Sequence, residues 1–226
     1  MSTLYIVATP IGNLNDITFR AVEILKKVDV IACEDTRHTI KLLNHFGITK
    51  KLVSYHSHNE KRAAERILGF LKQGKQVALV TDGGTPGISD PGSTVVRLVR
   101  TSGYVVSPVP GVSAVTTLMS VSGMPSNRFC FYGFLSPSRG KRRKQLKRIM
   151  MSESPSILFE SPFRILALLR EISIIDNKRE LFIGREITKI HEEFLCGTAN
   201  KLLTELERRE KIKGEFTVLI GEGKKV

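Results

Sequence analysis

Over its first 120 residues the chain alternates short apolar runs rich in β-branched side chains with stretches of helical spacing, and this alternation narrows the possible folds sharply. The runs LYIVAT, DVIAC, KLVSY, QVALV and YVVSPV read as five strands. Between them lie DITFRAVEILKKV, TRHTIKLLNHF, EKRAAERILGFLKQ and STVVRLVRTSG, whose apolar residues recur at helical intervals. Strands separated by helices return to one sheet in parallel, so the pattern predicts a mainly parallel sheet covered on both faces. The later runs RFCFYGFL, SILFE, ELFIGREI, EFLCGT and EFTVLIG alternate with KRRKQLKRIM, FRILALLREI and ANKLLTELERRE, so this half is α/β as well. Because ELFIGREI and EFLCGT stand close together, a hairpin and therefore a mixed sheet are expected there. A helix in PGVSAVTTLMSVSG and the polar turn after it separate the halves, giving domains 1–122 and 123–226 with a ligand cleft expected between them.

At 226 residues and 41% hydrophobic content the chain has enough material for packed cores. Its net charge of +13 favours a polyanionic partner such as nucleic acid, although basic proteins that bind none are common. Cys33, Cys130 and Cys196 are widely spaced and have no CxxC or Cys/His pattern, so neither a disulfide framework nor a metal site is expected. Three buried thiols in a reducing compartment are the expectation instead. The segment MSTLYIVATPIGN lacks the charged leader and apolar core of an export signal, and no run approaches the roughly 20 apolar residues of a membrane span. A cytoplasmic protein with no membrane partner follows as the expectation.

Residues 80–92, VTDGGTPGISDPG, end the strand QVALV in a loop crowded with Gly, Pro, Asp, Ser and Thr. In open α/β sheets ligands bind at the carboxyl ends of strands, where this loop sits. Glycine allows close backbone approach or positive φ, while Pro86 and Pro91 stiffen the loop. The plainer alternative is an ordinary βα connection, but those usually run only about 2 to 6 residues. Reading the other strands to their ends brings TPIGN at residues 9–13 and EDTR at residues 34–37 to the same edge. Pro110-Gly111 opens a further helix, whose free amides suit an anion or are simply capped. Neither GxxxxGK[ST] nor GxGxxG is present, so the composition points to a nucleoside-type ligand held by backbone groups.

Seven motifs carry a family resemblance: LYIVATPIGNLNDITFRAVEILKKVDVIACEDTR, VTDGGTPGISDPG, PGVSAVTTLMSVSG, FYGFL, ESPFR, REITKIHEE and KGEFTVLIG. In this order, across nearly the whole chain, they resemble the ribosomal RNA small subunit methyltransferase I family of the tetrapyrrole-methylase superfamily. The resemblance implies two α/β domains, S-adenosylmethionine as cofactor, a homodimer, and methylation of a cytidine ribose 2′-hydroxyl in small-subunit ribosomal RNA. Carried over by position, the cofactor residues would be Pro10, Gly83, Gly84, Thr85, Ile88, Ser113 and Ala114, with Ser161 matching a superfamily position. Two departures stand out: ESPFR places Phe163 where the family has His, and the sequence ends five residues after Gly221, where many members continue into a helical extension.

Methyl transfer from a sulfonium to a hydroxyl needs in-line alignment and a proton acceptor, and neither a metal nor a covalent enzyme intermediate. Glu34, Asp35 and Arg37 form the favoured polar core, a carboxylate accepting the proton while Arg37 anchors a phosphate. In the competing reading one of these carboxylates caps the next helix and Arg37 pairs with it. His56, His58, Glu160, Glu186 and Lys189 are further candidates, the two histidines fitting a surface or packing role better. On the RNA side, seven of the ten residues in RGKRRKQLKR are basic: Arg139, Lys141, Arg142, Arg143, Lys144, Lys147 and Arg148. Such a run can neutralise several phosphates, or it is a solvated helix face. Two other functions remain open, methylation of a tetrapyrrole or corrin ring and a non-catalytic RNA-binding role in assembly.

Overall fold

The computed structural model describes residues 2–124 and 127–223. Contacts divide the chain into two units, Met1–Ser113 and Ala114–Val226. The first contains strands β1 (Thr3–Val7), β2 (Val30–Cys33), β3 (Lys51–Ser54), β4 (Val77–Leu79) and β5 (Val105–Val109). Helices α1 (Phe19–Lys27), α2 (Thr36–His45), α3 (Glu60–Lys72) and α4 (Ser93–Thr101) connect them in turn. All strand pairs are parallel, in the order β3-β2-β4-β1-β5. The five strands and four helices expected from the alternation are therefore all present.

Strand periodicity sends successive side chains to opposite faces. Val30 and Ala32 face the layer formed by Ile67 and Leu71 of α3 with Val95 and Val99 of α4. Ile31 and Cys33 face Ala21 and Leu25 of α1 with Leu43 of α2. The split follows from handedness: crossovers leaving β1 and β2 run toward the β3 edge, those leaving β3 and β4 run the other way, and right-handed connections place the two sets on opposite faces. β1 and β4 are consequently neighbours whose following segments depart to opposite faces. That is the switch point at which an open sheet leaves a crevice beyond its carboxyl ends.

The second unit begins with α5 (Ala114–Val121), which packs against β10 (Phe216–Ile220). The contact division falls at Ser113, one helix before the boundary expected after residue 122, because sequence could not show that α5 packs on a strand almost a hundred residues away. The polar turn expected there includes Pro125 and Ser126, which lie outside the described residues. Strands β6 (Cys130–Phe134), β7 (Ser156–Glu160), β8 (Glu180–Arg185) and β9 (Glu193–Thr198) complete a sheet of order β6-β7-β10-β8-β9. Only β6 and β7 run parallel, and β8 and β9 form the expected antiparallel hairpin, so the sheet is mixed. Helices α6 (Arg139–Met150), α7 (Ile165–Ile175) and α8 (Ala199–Glu207) bury Leu146, Leu168, Leu169 and Leu202 against Leu158, Ile183 and Val218. Cys33 is buried, but Cys130 and Cys196 are exposed, contrary to the expectation of three buried thiols. Both exposed thiols lie on the edge strands of the second sheet, where one flank has no neighbour.

Candidate active site

The carboxyl edge of the first sheet is drawn together by backbone pairing. Thr9 and Gly84 form an antiparallel bridge in which each amide donates to the other's carbonyl at 2.9 Å, joining the loop after β1 to the loop after β4. Gly84 has φ +90°, a conformation that favours glycine. A Cβ on neighbouring Gly83 would meet the Pro10 carbonyl oxygen at 3.3 Å, so the two loops approach through backbone there. At the far end of the loop Glu60 accepts from the Gly92 amide at 3.3 Å and from the Thr94 hydroxyl at 2.7 Å. The segment is thus anchored at both ends, and Ile88 between them is half exposed.

Carboxylates gather where β2 and β4 end. The buried Thr81 hydroxyl donates to Glu34 Oε2 at 3.4 Å, and its carbonyl accepts from the Thr9 hydroxyl at 2.9 Å. Asp82 Oδ1 accepts from the Asp35 amide at 3.1 Å, which ties the β4 end to the β2 end. Burial, reinforced by the charge of Asp82, raises the Glu34 carboxyl above its ordinary range. Burial likewise pushes half-buried Asp90 up to about 6, with Glu34 and Asp82 adding to the effect and a hydrogen bond from Thr81 opposing it. Around one threonine, then, sit two carboxyls that hold protons more readily than exposed ones do.

Asp35 and Arg37 behave differently from Glu34. Asp35 is the N-cap of α2, accepting from the Arg37 amide at 2.8 Å, and its other oxygen pairs with the Arg37 guanidinium at 2.7 Å. The Arg37 hydrogen bonds hold the Asp35 carboxyl down near 2, leaving it a poor proton acceptor at neutral pH. The Arg37 side chain is 88% exposed. The capping alternative therefore describes Asp35 and Arg37, while Glu34 alone of the three turns toward Thr81. His56, after β3, carries a buried Nδ1 with no hydrogen-bond partner among the described residues, and its ring lies 6.0 Å from that of His58.

Residues 3–203 match the model of the tetrapyrrole (corrin/porphyrin) methylases. The chain is 46% identical over 225 residues to ribosomal RNA small subunit methyltransferase I of Halalkalibacterium halodurans, covering 99% of this chain and 78% of that protein. It is also 46% identical over 221 residues to the protein of the same name from Thermotoga maritima, covering 97% of this chain and 98% of that one. The chain belongs to the ribosomal RNA small subunit methyltransferase I family. Among solved structures, a diphthine synthase superposes with a TM-score of 0.71 at 16% identity, covering 100% of this chain and 91% of that one. A cobalt precorrin-4 methyltransferase gives 0.70 at 17% identity, with 97% and 94% covered. At such identities the two structures establish the fold.

Membership in the ribosomal RNA small subunit methyltransferase I family makes the chain an S-adenosylmethionine-dependent methyltransferase. The crevice suits that cofactor chemically. In a protein of net charge +13, the edge beside the Thr9–Gly84 bridge collects Glu34, Asp82 and Asp90, a local acidity that matches a sulfonium. Pro10, Gly83, Gly84, Thr85 and Ile88 all lie on the two loops that this bridge joins, and Ser113 closes the first unit. Ala114, the first residue of α5, and Ser161, whose amide donates to Glu160 Oε1 at 2.8 Å, belong to the second unit.

Six of the seven basic residues expected to face RNA are exposed along α6. Arg142 is the exception: it turns inward and pairs with Glu171 of α7 at 3.3 Å, because its position on the helix falls on the stripe with Leu146 and Ile149 that packs against the sheet. Of the remaining candidates, Glu160 is fully buried and pairs with Arg164 at 2.7 Å. Glu186 and Lys189 pair at 2.9 Å in the second unit. Thr81, Asp82 and Asp90 were not singled out from sequence. The signal was the pair of aspartates inside TDGGTPGISDPG, masked by the glycines and prolines that dominate the motif.

Proposed function

We propose that this protein methylates the ribose 2′-hydroxyl of a cytidine in small-subunit ribosomal RNA. S-adenosylmethionine, when bound, supplies a methyl group on a positively charged sulfur. Pro10, Gly83, Gly84, Thr85 and Ile88 would hold it at the β1–β4 switch point of the first unit, with Ser113 at the end of that unit. The Thr9–Gly84 bridge and the Glu60 anchor keep the loop in place, so little ordering remains to be done on binding. Glu34 would take up the proton that the ribose hydroxyl loses when the methyl group passes from sulfur to oxygen. Its raised proton affinity, from burial and Asp82, makes it a better base than an exposed carboxylate, and the hydroxyl of Thr81 holds it in place. Exposed cations of α6 neutralise phosphates of the RNA.

The observation that supports the reading is Glu34, a carboxyl of raised proton affinity at the strand-end edge of a chain 46% identical to proteins named for this RNA. A homodimer acting in the cytoplasm, where ribosomes assemble, belongs to the same proposal. The test is transfer of labelled methyl from S-adenosylmethionine to small ribosomal subunits that lack the modification, followed by nuclease digestion and mass spectrometry. A 2′-O-methylcytidine is expected. Label found only on a tetrapyrrole acceptor, or on no RNA at all, would overturn the proposal.

A further inference from the structure

The carboxyl edge of the second sheet carries a feature that methyl transfer at Glu34 does not use. Phe163 is 94% exposed, on the turn that follows β7. An aromatic side chain normally gains by burial, so one held in water on an ordered turn is available to a partner. The turn is well fixed. Glu160 Oε1 accepts from the Ser161 amide at 2.8 Å and pairs with the Arg164 guanidinium at 2.7 Å, and the amides of Arg164 and Ile165 both donate to the Ser161 carbonyl at 3.1 Å. Phe163 therefore projects from a backbone that is pinned on both sides.

Its surroundings indicate what that partner is. β6 and β7 are parallel neighbours, so their carboxyl ends share one edge. Arg164 donates from Nη1 to the Leu135 carbonyl at 3.3 Å, linking the Phe163 turn to the segment after β6. That segment is itself fastened to α6 by the Ser136 amide, which donates to Gln145 Oε1 at 2.9 Å. Immediately before it, as the last residue of β6, stands a second exposed aromatic, Phe134, 57% exposed and backed by the Phe159 ring at 5.6 Å. α6 begins only a few residues later and presents six exposed cations, with no acidic residue along its length. Flat apolar rings beside a cationic helix fit a nucleotide: the base stacks and the phosphates are neutralised. Duplex RNA hides the faces of its bases, so the ligand has to be an unpaired one.

We propose that Phe163 is a stacking platform for an unpaired base of the RNA substrate, with flanking phosphates held by exposed cations of α6. The proposal rests on the RNA reading of the function and adds which part of the RNA the second unit recognises. No proton or group is transferred there.

The test uses the full chain and a single-stranded oligoribonucleotide containing 2-aminopurine, whose emission falls when it stacks on an aromatic ring. Wild-type protein is expected to quench the probe and to bind it more tightly than the same sequence as a duplex. Phe163→Leu keeps an apolar side chain but loses the ring, and should weaken single-strand binding by roughly 5- to 150-fold and abolish the quench. The salt dependence should stay unchanged, because no phosphate contact is removed. Phe163→Trp should restore both affinity and quench. Replacing Arg139, Arg143 and Lys144 by Ala should do the reverse, flattening the salt dependence while leaving the quench at saturating RNA.

Absence of a quench with wild-type protein, or Phe163→Leu binding as tightly as wild type, would overturn the stacking proposal. Methyl incorporation by the wild-type protein reports separately on the function. If incorporation succeeds and Phe163→Leu behaves as wild type, only the platform is lost. If incorporation fails while quenching and its loss in Phe163→Leu are seen, the platform stands and the methylation reading falls.

Discussion

Thr9 and Gly84 exchange two backbone hydrogen bonds of 2.9 Å, so the backbone polar groups of Gly84 are taken up by the loop after β1, and the part proposed for it in cofactor binding is to place its own loop. A Cβ at this position would meet Ile11 Cγ2 at 3.6 Å, which is ordinary contact, so the cost of substitution comes from φ +90°. Gly84→Ala should destabilise the protein by roughly 1–2 kcal/mol and weaken S-adenosylmethionine binding through loop displacement. Thermal denaturation and calorimetric titration measure the two effects. Unchanged cofactor affinity in a destabilised variant would dissociate the bridge from the cofactor site.

Glu34→Gln keeps the shape of the side chain and its contact with Thr81 but removes the proposed proton acceptor. Turnover should fall by about 10² to 10⁴-fold, while affinities for S-adenosylmethionine and RNA stay near wild type. Asp35→Asn should instead keep the cap of α2, since Asn caps as well as Asp, and break only the exposed pair with Arg37, with a much smaller effect on rate. Single-turnover methyl transfer by the two variants distinguishes their roles. Equal losses would place the base elsewhere.

Asp90 sets a pH dependence of stability. Its carboxyl is pushed from 3.8 up to about 6 in the folded state, chiefly by burial, so the folded protein binds its proton more tightly than the unfolded chain does. The stabilisation from that bound proton is complete below pH 3.8 and is lost as pH rises through about 6. At neutral pH the charged group is a net cost, on the order of 1 kcal/mol once solvent screening of a half-buried side chain is allowed for. Asp90→Asn should therefore raise the melting temperature at pH 7 and flatten its change between pH 4 and 6. Parallel pH profiles of variant and wild type would refute the assignment.

Along α6, neighbouring arginines should behave oppositely. Arg142→Ala strands the Glu171 carboxylate, of which the side chain is 17% exposed, and should cost about 3 kcal/mol of stability. Arg143→Ala removes only a solvated cation, leaving stability within about 0.5 kcal/mol and lowering the salt slope of single-stranded RNA binding by up to about 0.7. Chemical denaturation and binding across a salt series test the pair.

Much of this architecture was legible in the sequence. Strand and helix patterns located the ten strands of the described residues, since each pattern reports which face of an element is buried. The hairpin of β8 and β9 was legible from the short spacing between its strands. Sequence could not assign α5 to the second unit, because its packing on β10 is a long-range contact. In the EDTR segment three polar residues in a row looked equivalent, and only their surroundings separate Glu34, facing Thr81, from Asp35 and Arg37, which satisfy each other. The dense charge of RGKRRKQLKR likewise hid the fact that helical spacing puts Arg142 on the inward stripe.

By itself the sequence determined the alternation of elements, the two α/β halves, and the polar clusters at strand ends, because these follow from local periodicity and turn chemistry. Strand order was left to the tertiary structure. Setting β1 beside β4 creates the switch point, and with it come the Thr9–Gly84 bridge and the meeting of Glu34, Thr81 and Asp90. The physical reason is distance: Glu34 and Thr81 are 47 residues apart, and burial and neighbouring charge, which set how tightly a carboxyl holds its proton, exist only once the sheet is assembled.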